Sequence, residues 1–168
     1  ARLDDWEAPT YAGQLFMGHF HPELVFPFPF QDDDDRRRGD QFLDELGAFL
    51  NEHLDPDRVD REEKIPPEVM AGLADLGAFG MKIPQKYGGL GLSQVNYNRA
   101  IALVSGYCSS TALMLSAHQS IGVSRPVMEY GTREQKQAFL PKIARGEISA
   151  FALTEPTVGS DPVRMKTI

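Results

Sequence analysis

The chain has 168 residues, 42% of them hydrophobic and 10% aromatic, which is enough apolar material for one ordinary domain with a core. Its net charge of −7 and pI near 5.0 oppose long-range attraction to phosphate backbones and anionic lipids, so a nucleic-acid partner is not expected. No apolar run reaches the roughly 18 residues of a transmembrane helix, and a secretory signal pattern is absent from the sequence. These features predict a soluble intracellular protein.

The N-terminal segment, residues 1–39, shows little helical or strand periodicity and is predicted to be extended. Phe26, Phe28 and Phe30 alternate with prolines, and each proline holds itself and the residue before it in an extended conformation. We therefore expect these three rings to anchor the segment on a surface.

Two opposed charge blocks end this segment, with acids at 32–35 and arginines at 36–38. They could form a cation site or a basic patch, but the acids come first, which favours a solvated lead into a helix. His19 and His21 lie close together without a marked third ligand, so no metal is predicted.

Residues 40–146 are predicted to form a helical domain of about five helices. The first begins at a cap at Asp40 and ends near residues 55–56. The second follows two prolines at 66–67, and the three glycines within residues 84–92 predict a shaped loop after it. The apolar stripes of these two helices are Phe42, Leu43, Leu46, Phe49 and Leu50, then Val69, Met70, Leu73 and Leu76.

Three more helices complete the predicted domain. Ser93 caps the third, whose stripe includes Cys108, and this lone cysteine is predicted to be buried as a small hydrophobic residue. The fourth begins near Ser110, is rich in small residues, and should be interrupted or kinked at Pro126. Residues 132–135 have the form of a capping box for the fifth helix, which ends at a glycine at position 146.

Residues 147–168 follow a different period. The alternation from Ile148 to Leu153 predicts the first strand of a β-domain, whose other strands must lie outside this chain because a single strand is not stable alone. The turn after it contains hydroxyl residues, acids and Gly159, and such a turn can present N–H groups and hydroxyls to phosphates. Many purely structural turns share this composition, so the pattern alone leaves both readings open.

The turn also resembles a family motif. Ala152-Leu-Thr-Glu155 followed by Gly159-Ser-Asp161 is similar to the first signature motif of acyl-CoA dehydrogenases. The resemblance covers nearly the whole chain and implies the N-terminal portion of such a protein, a mainly α helical domain that leads into the first strand of a truncated β-domain. Further stretches resemble that helical domain in the same order: Leu76-Gly-Ala-Phe-Gly80, Tyr87-Gly-Gly-Leu-Gly-Leu92, and Gly131-Thr with Gln135-Lys136 and Phe139-Leu-Pro141.

Within the family, the resemblance is to the very-long-chain class, through Ala117-His-Gln-Ser-Ile-Gly122 and Val25-Phe-Pro-Phe-Pro29. His118, in the first of these strings, is interpreted as a structural histidine. Val158 and Arg164 replace residues that are usually small in the family motif, and the form Val-Gly-Ser-Asp-Pro resembles bacterial relatives. A bacterial cytoplasmic protein is therefore expected, with the mitochondrial matrix as the alternative.

The resemblance implies FAD-dependent α,β-dehydrogenation of long-chain fatty acyl-CoA thioesters, as in fatty acid β-oxidation. A carboxylate takes the α-proton, and the β-hydrogen leaves as hydride to the flavin. The cofactor-binding residues implied by position in the motif are Phe151, Ala152, Leu153 and Thr154 at the flavin ring, and Gly159 and Ser160 at the pyrophosphate.

The same resemblance implies the substrate contacts and the partners. Ser160 would approach the acyl-CoA, and Leu113 and Ala117 would line the acyl tunnel, although an ordinary helix contact explains small residues there equally well. The family's catalytic base is a glutamate of its C-terminal domain, which no residue of this chain matches, so no catalytic residue is predicted here. An electron-transfer flavoprotein as acceptor and a homodimer or larger homo-oligomer are also implied.

Two alternatives stay open. An acyl-CoA oxidase-like flavoenzyme would differ in letting oxygen reach the reduced flavin. A non-catalytic flavin-binding, acyl-CoA-binding or assembly module would keep the fold without the reaction.

Overall fold

The computed structural model describes residues 10–27, 30–120, 122–150 and 152–167. The chain divides into two units, residues 1–32 and residues 33–168, and each is described by itself. As predicted, the described residues are mainly helical.

Among the described residues of the first unit, 10–27 and 30–32, there is a short helix that the sequence analysis did not anticipate. Helix α1, Tyr11–Phe16, begins where the Thr10 hydroxyl accepts a hydrogen bond from Gly13 N at 3.2 Å. A 3-10 turn follows at Pro22–Leu24. Two of the rings predicted to be anchors, Phe26 and Phe30, are exposed, and the third, Phe28, lies outside the described residues.

The second unit begins with helix α2, Asp33–His53. The predicted cap at Asp40 is wrong, because the acids at 33–35 already occupy the first turn, where the helix dipole favours negative charge. Asp40 lies inside the helix and pairs with Arg99. The predicted stripe is confirmed, since Phe42, Leu46 and Leu50 are buried and Leu43 and Phe49 pack against the same core.

A second helix that the sequence analysis missed follows directly. Helix α3, Pro56–Glu62, has Pro56 at its first position, and the Asp55 carboxylate accepts a hydrogen bond from Arg58 N at 3.0 Å. A proline that ends one helix can equally open the next, because the first turn of a helix does not use its N–H groups.

Three helices form the centre of this unit. They are α4, Pro67–Asp75, then α5, Gln94–Tyr107, capped by the Ser93 hydroxyl as predicted, and α6, Ser109–Ser120. The shaped loop between α4 and α5 contains 3-10 turns at Ala78–Gly80 and Gln85–Tyr87. Their apolar faces form the main core with α2, and Cys108 is buried in it, as predicted.

Helices α7, Ser124–Tyr130, and α8, Arg133–Ala144, follow. Pro126 does not interrupt a helix as predicted: the break precedes Ser124, and Pro126 lies in the first turn of α7, where a proline is tolerated. The predicted capping box at the start of α8 is confirmed, and Gly146, with φ of 95°, follows the helix end. A smaller core joins this part to the loop: Ile83, Leu140, Ile143 and Ala144.

The last segment is irregular. Among its described residues, 147–150 and 152–167, no strand is formed, and the one β-bridge joins Glu155 and Val158. The predicted strand from Ile148 therefore has no ladder here, because a ladder requires a partner strand. The division at residues 39 and 146 stays a prediction, and α2 crosses the first of these boundaries.

Candidate functional site

The turn at residues 155–158 is closed by the backbone. Glu155 N donates to the Val158 carbonyl at 2.9 Å, and Val158 N donates back to the Glu155 carbonyl at 3.1 Å. The Val158 side chain is buried, although the flanking residues are exposed. The turn of this chain therefore accommodates a valine at position 158, where the family motif usually has a small residue.

The Glu155 carboxylate holds the far end of the segment. It accepts hydrogen bonds from Thr167 N at 2.8 Å, from Lys166 N at 3.1 and 3.2 Å, and from the Thr167 hydroxyl. The Thr167 hydroxyl and then these backbone N–H groups lower the pKa of Glu155. Asp161 pairs with Arg164 at 3.0 Å. Both acids therefore make local contacts within this segment.

Hydrogen-bond donors are left free on the outer side of this turn. Thr154, Gly159 and Ser160 are exposed, and the hydroxyls of Thr154 and Ser160 have no partner within the part of the chain that the structure describes. A Cβ on Gly159 would meet only the Thr154 methyl at 3.9 Å, so the backbone can be approached closely. Ala152 and Leu153 are exposed as well, and Phe151 lies outside the described residues.

The two predicted substrate residues of α6 differ in exposure. Leu113 is 69% exposed and lines a groove of about 250 Å³ between α5 and α6, while Ala117 is partly buried. Neither Ala117 nor any described residue of the turn is among the residues that line this groove, so the groove does not join Leu113 to Ser160. Its lining is Ile101, Ser105, Ser109, Ala112, Leu113 and Ser116.

A larger apolar groove of about 310 Å³ lies between α7, α8 and the segment that leads to the turn. The sequence analysis did not predict it, because its walls come from three separate stretches. Its lining is mainly aliphatic and aromatic, with one cation and one acid at the rim: Val123, Val127, Phe139, Ile143, Ile148 and Ser149, with Lys142 and Glu147.

The same segment contacts a buried histidine of α6. His118 is 3% exposed and meets the Phe79 ring edge-on, with centroids 5.3 Å apart. Its Nδ1 lies 3.4 Å from both the backbone N and the hydroxyl oxygen of Ser149. Burial lowers the pKa of His118, and the backbone of Ile143 partly offsets this shift. The neutral ring is therefore the stable form in the folded protein.

The next residue fixes the loop after α4. Gln119 is buried, its amide nitrogen donates to the Ala78 carbonyl at 2.8 Å, and its amide oxygen accepts from Lys82 N at 3.4 Å. Lys82 lies over the Tyr97 ring at 4.8 Å. Burial, followed by the nearby charge of Arg125, lowers the pKa of Lys82.

Two further features concern ions and membranes. Within the described ranges no group of three or more potential metal ligands comes together, and His21 pairs with Glu23 at 2.7 Å. No helix in the described part of the chain has the length and apolarity needed to cross a bilayer.

Known proteins are similar to this chain in sequence and fold. The family model for the acyl-CoA dehydrogenase N-terminal domain matches residues 38–147. The chain is 50% identical over 165 residues to probable acyl-CoA dehydrogenase FadE10 of Mycobacterium tuberculosis, covering 98% of this chain and 25% of that protein. It is 37% identical over 166 residues to the mitochondrial very long-chain specific acyl-CoA dehydrogenase of Rattus norvegicus, covering 96% and 25%.

A solved structure agrees with these relatives. The glutaryl-CoA dehydrogenase of Mycobacterium smegmatis in complex with FADH2 matches with a TM-score of 0.66 and 29% identity, over 86% of this chain and 37% of that one. The chain spans about a quarter of the length of the curated relatives that it matches.

Proposed function

The chain belongs to the acyl-CoA dehydrogenase family, and we propose that it forms the N-terminal part of an enzyme that oxidises long-chain fatty acyl-CoA thioesters with FAD. One observation carries this proposal: the turn at 155–158 is held by Glu155 and leaves the Thr154 and Ser160 hydroxyls and the Gly159 backbone exposed. These are donors of the type that flavin and pyrophosphate oxygens require, and they follow directly on the helical domain of the family.

The residues of this chain would bind and orient the cofactor. The backbone of Phe151, Ala152 and Leu153 and the hydroxyl of Thr154 would face the flavin ring. Gly159 and Ser160 would donate to the pyrophosphate, because Gly159 leaves room for close approach. When bound, FAD accepts the β-hydrogen of the substrate as hydride, and the protein supplies binding and electrostatics.

For the substrate, we propose that Ser160 lies near the acyl-CoA thioester and that Leu113 and Ala117 of α6 line the path of the acyl chain. Exposed Leu113 supports an apolar contact on this face of α6, and the adjoining groove, half of whose lining residues are serines, leaves room for a ligand there. Small side chains on the same helix leave space for a long chain. In the alternative, α6 only packs against other helices of the whole protein. Enlarging Ala117 would then affect long-chain and short-chain substrates equally.

The remaining parts of the reaction are assigned to the rest of the protein. The catalytic base is proposed to lie outside this chain, so the chain alone should be inactive. Electrons would pass to an electron-transfer flavoprotein, and the assembly would be a homodimer or larger. The bacterial cytoplasm is the proposed location, with the mitochondrial matrix as the alternative.

The test is an anaerobic titration of the full-length protein with FAD and a long-chain acyl-CoA, followed by visible flavin absorbance. Bleaching of the oxidised flavin supports the proposal, and a bound flavin that no acyl-CoA reduces contradicts it. Admitting oxygen separates the two enzyme classes, since fast production of hydrogen peroxide would point to an oxidase. A full-length protein that binds acyl-CoA or flavin without reduction would be a binding module.

A further inference from the structure

Ser149 lies in the segment that leads to the turn at 155–158, and it contacts the helical domain. Its backbone N and its hydroxyl both lie 3.4 Å from His118 Nδ1, and its hydroxyl oxygen accepts from Val123 N at 3.3 Å. One side chain therefore contacts both the last turns of α6 and the start of α7. Ala150, Ala152, Leu153 and Thr154, the neighbouring described residues, are exposed.

The approach is too close for any residue but glycine at position 122. A Cβ there would overlap the Ser149 hydroxyl oxygen and the His118 carbonyl oxygen. Ser149 thus lies directly against the backbone at Gly122, just after the end of α6. Because the contact is made by His118, Gly122 and Val123 together, Ser149 has little freedom to shift along the helix end.

His118 itself is buried and packed against its neighbours. Its ring meets Phe79 edge-on, and the adjoining Gln119 is fixed by the Ala78 carbonyl at 2.8 Å. Acceptance of the Ser149 N–H by Nδ1 requires the neutral tautomer with its proton on Nε2. Core filling alone does not require that a ring nitrogen of the histidine accept a hydrogen bond from this backbone N–H.

We propose that His118 is a positioning residue: through Ser149 it sets the position of residues 152–154 against the flavin. This inference rests on the proposed function, since the position of residues 152–154 matters only if they contact FAD. A helix packed into the core is a suitable reference for such a contact, because a displacement of about 1 Å at a reacting centre can cost about 100-fold in rate.

The experiment uses the full-length protein with FAD and compares four variants. His118→Leu removes the ring nitrogen from the contact, and Ser149→Ala removes the hydroxyl that lies beside it while leaving the backbone N–H in place. His118→Asn keeps an acceptor close to the position of Nδ1 and is the conservative rescue. Ser124→Ala is the matched control, because it removes another buried hydroxyl, which donates to the Gln119 carbonyl at 3.2 Å and does not touch Ser149.

The first readout is independent of turnover. Hydrogen exchange of the Ser149 amide should be about two- to tenfold faster in His118→Leu, which is the change expected from losing one such hydrogen bond, and should be near the wild-type rate in His118→Asn. Unchanged exchange in His118→Leu would overturn the proposal. If that variant fails to fold, His118→Asn and Ser149→Ala carry the test through the second readout.

The second readout is the flavin. In His118→Leu and Ser149→Ala the flavin midpoint potential should shift, and anaerobic reduction by a long-chain acyl-CoA should slow by about tenfold or more at saturating substrate, with rescue in His118→Asn. If the flavin potential and the reduction rate are unaltered in both variants, or change equally in Ser124→Ala, the contact has only a structural role and the proposal is overturned. Failure of the wild-type flavin to be reduced at all would instead show that the proposed function is wrong.

Discussion

Gly39 of α2 lies directly against the side-chain amide of Asn96 of α5, so that a Cβ at position 39 would overlap that amide. The amide cannot easily move, because its nitrogen donates to the Asp35 carbonyl at 2.7 Å and its oxygen accepts from Arg99 at 3.1 Å. This contact allows the two helices to approach closely where the acidic first turn of α2 ends.

Replacing Gly39 with alanine should therefore destabilise the protein. Alanine gains about 1 kcal/mol of helix propensity, but overlap in a well-packed contact costs about 1–3 kcal/mol, so we expect a net loss of up to about 2 kcal/mol. Urea unfolding followed by far-UV circular dichroism measures it. Gly106→Ala is the matched control, because Gly106 is an exposed residue of α5 with open space around it and should gain stability. Equal effects of the two substitutions would contradict the argument.

The capping box of α8 gives a second prediction. The Thr132 hydroxyl accepts from Gln135 N at 3.2 Å, and the Gln135 side chain accepts from Thr132 N at 2.8 Å. Thr132→Ala should cost about 1 kcal/mol, since it leaves a first-turn N–H without its partner. Thr132→Ser keeps the hydroxyl and should remain near the wild-type midpoint in the same unfolding experiment. A wild-type midpoint for the alanine variant would show that solvent satisfies this N–H equally well.

The local features of the fold could be predicted from sequence because their causes lie within a few residues. The Ser93 cap, the Thr132 capping box and the buried face of α2 depend on neighbouring side chains and helical spacing. The cap at Asp40 was wrong because α2 already begins at the acids at 33–35, and the partner of Asp40, Arg99, is distant in sequence. Helix α3 was missed after Pro56, and the break was misplaced at Pro126, because a proline can mark the start of a helix as well as its end.

The site was predicted only in part, for a related reason. The turn at 155–158 is a local motif, and a family resemblance identified its residues. The contact between His118 and Ser149 joins stretches that are far apart in the chain, so no local sequence pattern predicts that these two residues meet. The strand expected from Ile148 depends on partner strands, and alternation alone does not supply them.

His118 gives a third prediction, on pH. Because burial lowers its pKa in the folded protein, the unfolded chain takes up a proton first as the pH falls below about 6.5. His118 should thus contribute full stability above that pH and lose it as the pH falls toward the folded pKa, with a slope of at most about 1.4 kcal/mol per pH unit. Unfolding free energies between pH 5 and 8 should fall less steeply in His118→Asn than in the wild type. Identical slopes in His118→Asn and the wild type would contradict the prediction.

Glu155 gives a fourth prediction, in the acid range. Hydrogen bonds from Thr167 and Lys166 lower its pKa, so its hold on residues 166–167 should be complete above the usual glutamate pKa near 4.5 and lost as the pH falls through its lowered folded value. Glu155→Gln should speed hydrogen exchange of the amides at 166 and 167 at neutral pH. Asp161→Asn, which removes only the partner of Arg164, should leave both amides unchanged. Equal protection in the Glu155 variant and the wild type would show that the carboxylate does not order this segment.

Ala117 gives the last prediction, which tests whether α6 lines the acyl path. Ala117 is partly buried on the helix that carries exposed Leu113, and a phenylalanine there would fill space that only a long acyl chain requires. Ala117→Phe in the full-length protein should lower kcat/KM for a long-chain acyl-CoA by about tenfold or more and for a short-chain one by much less. Ala71→Phe, at an exposed position of α4, controls for the added ring and should change neither value. Steric exclusion acts on the distal carbons of the substrate, whereas general damage to the fold acts on every substrate. An equal loss of kcat/KM for both chain lengths would therefore place Ala117 in helix packing and remove α6 from the proposed acyl path.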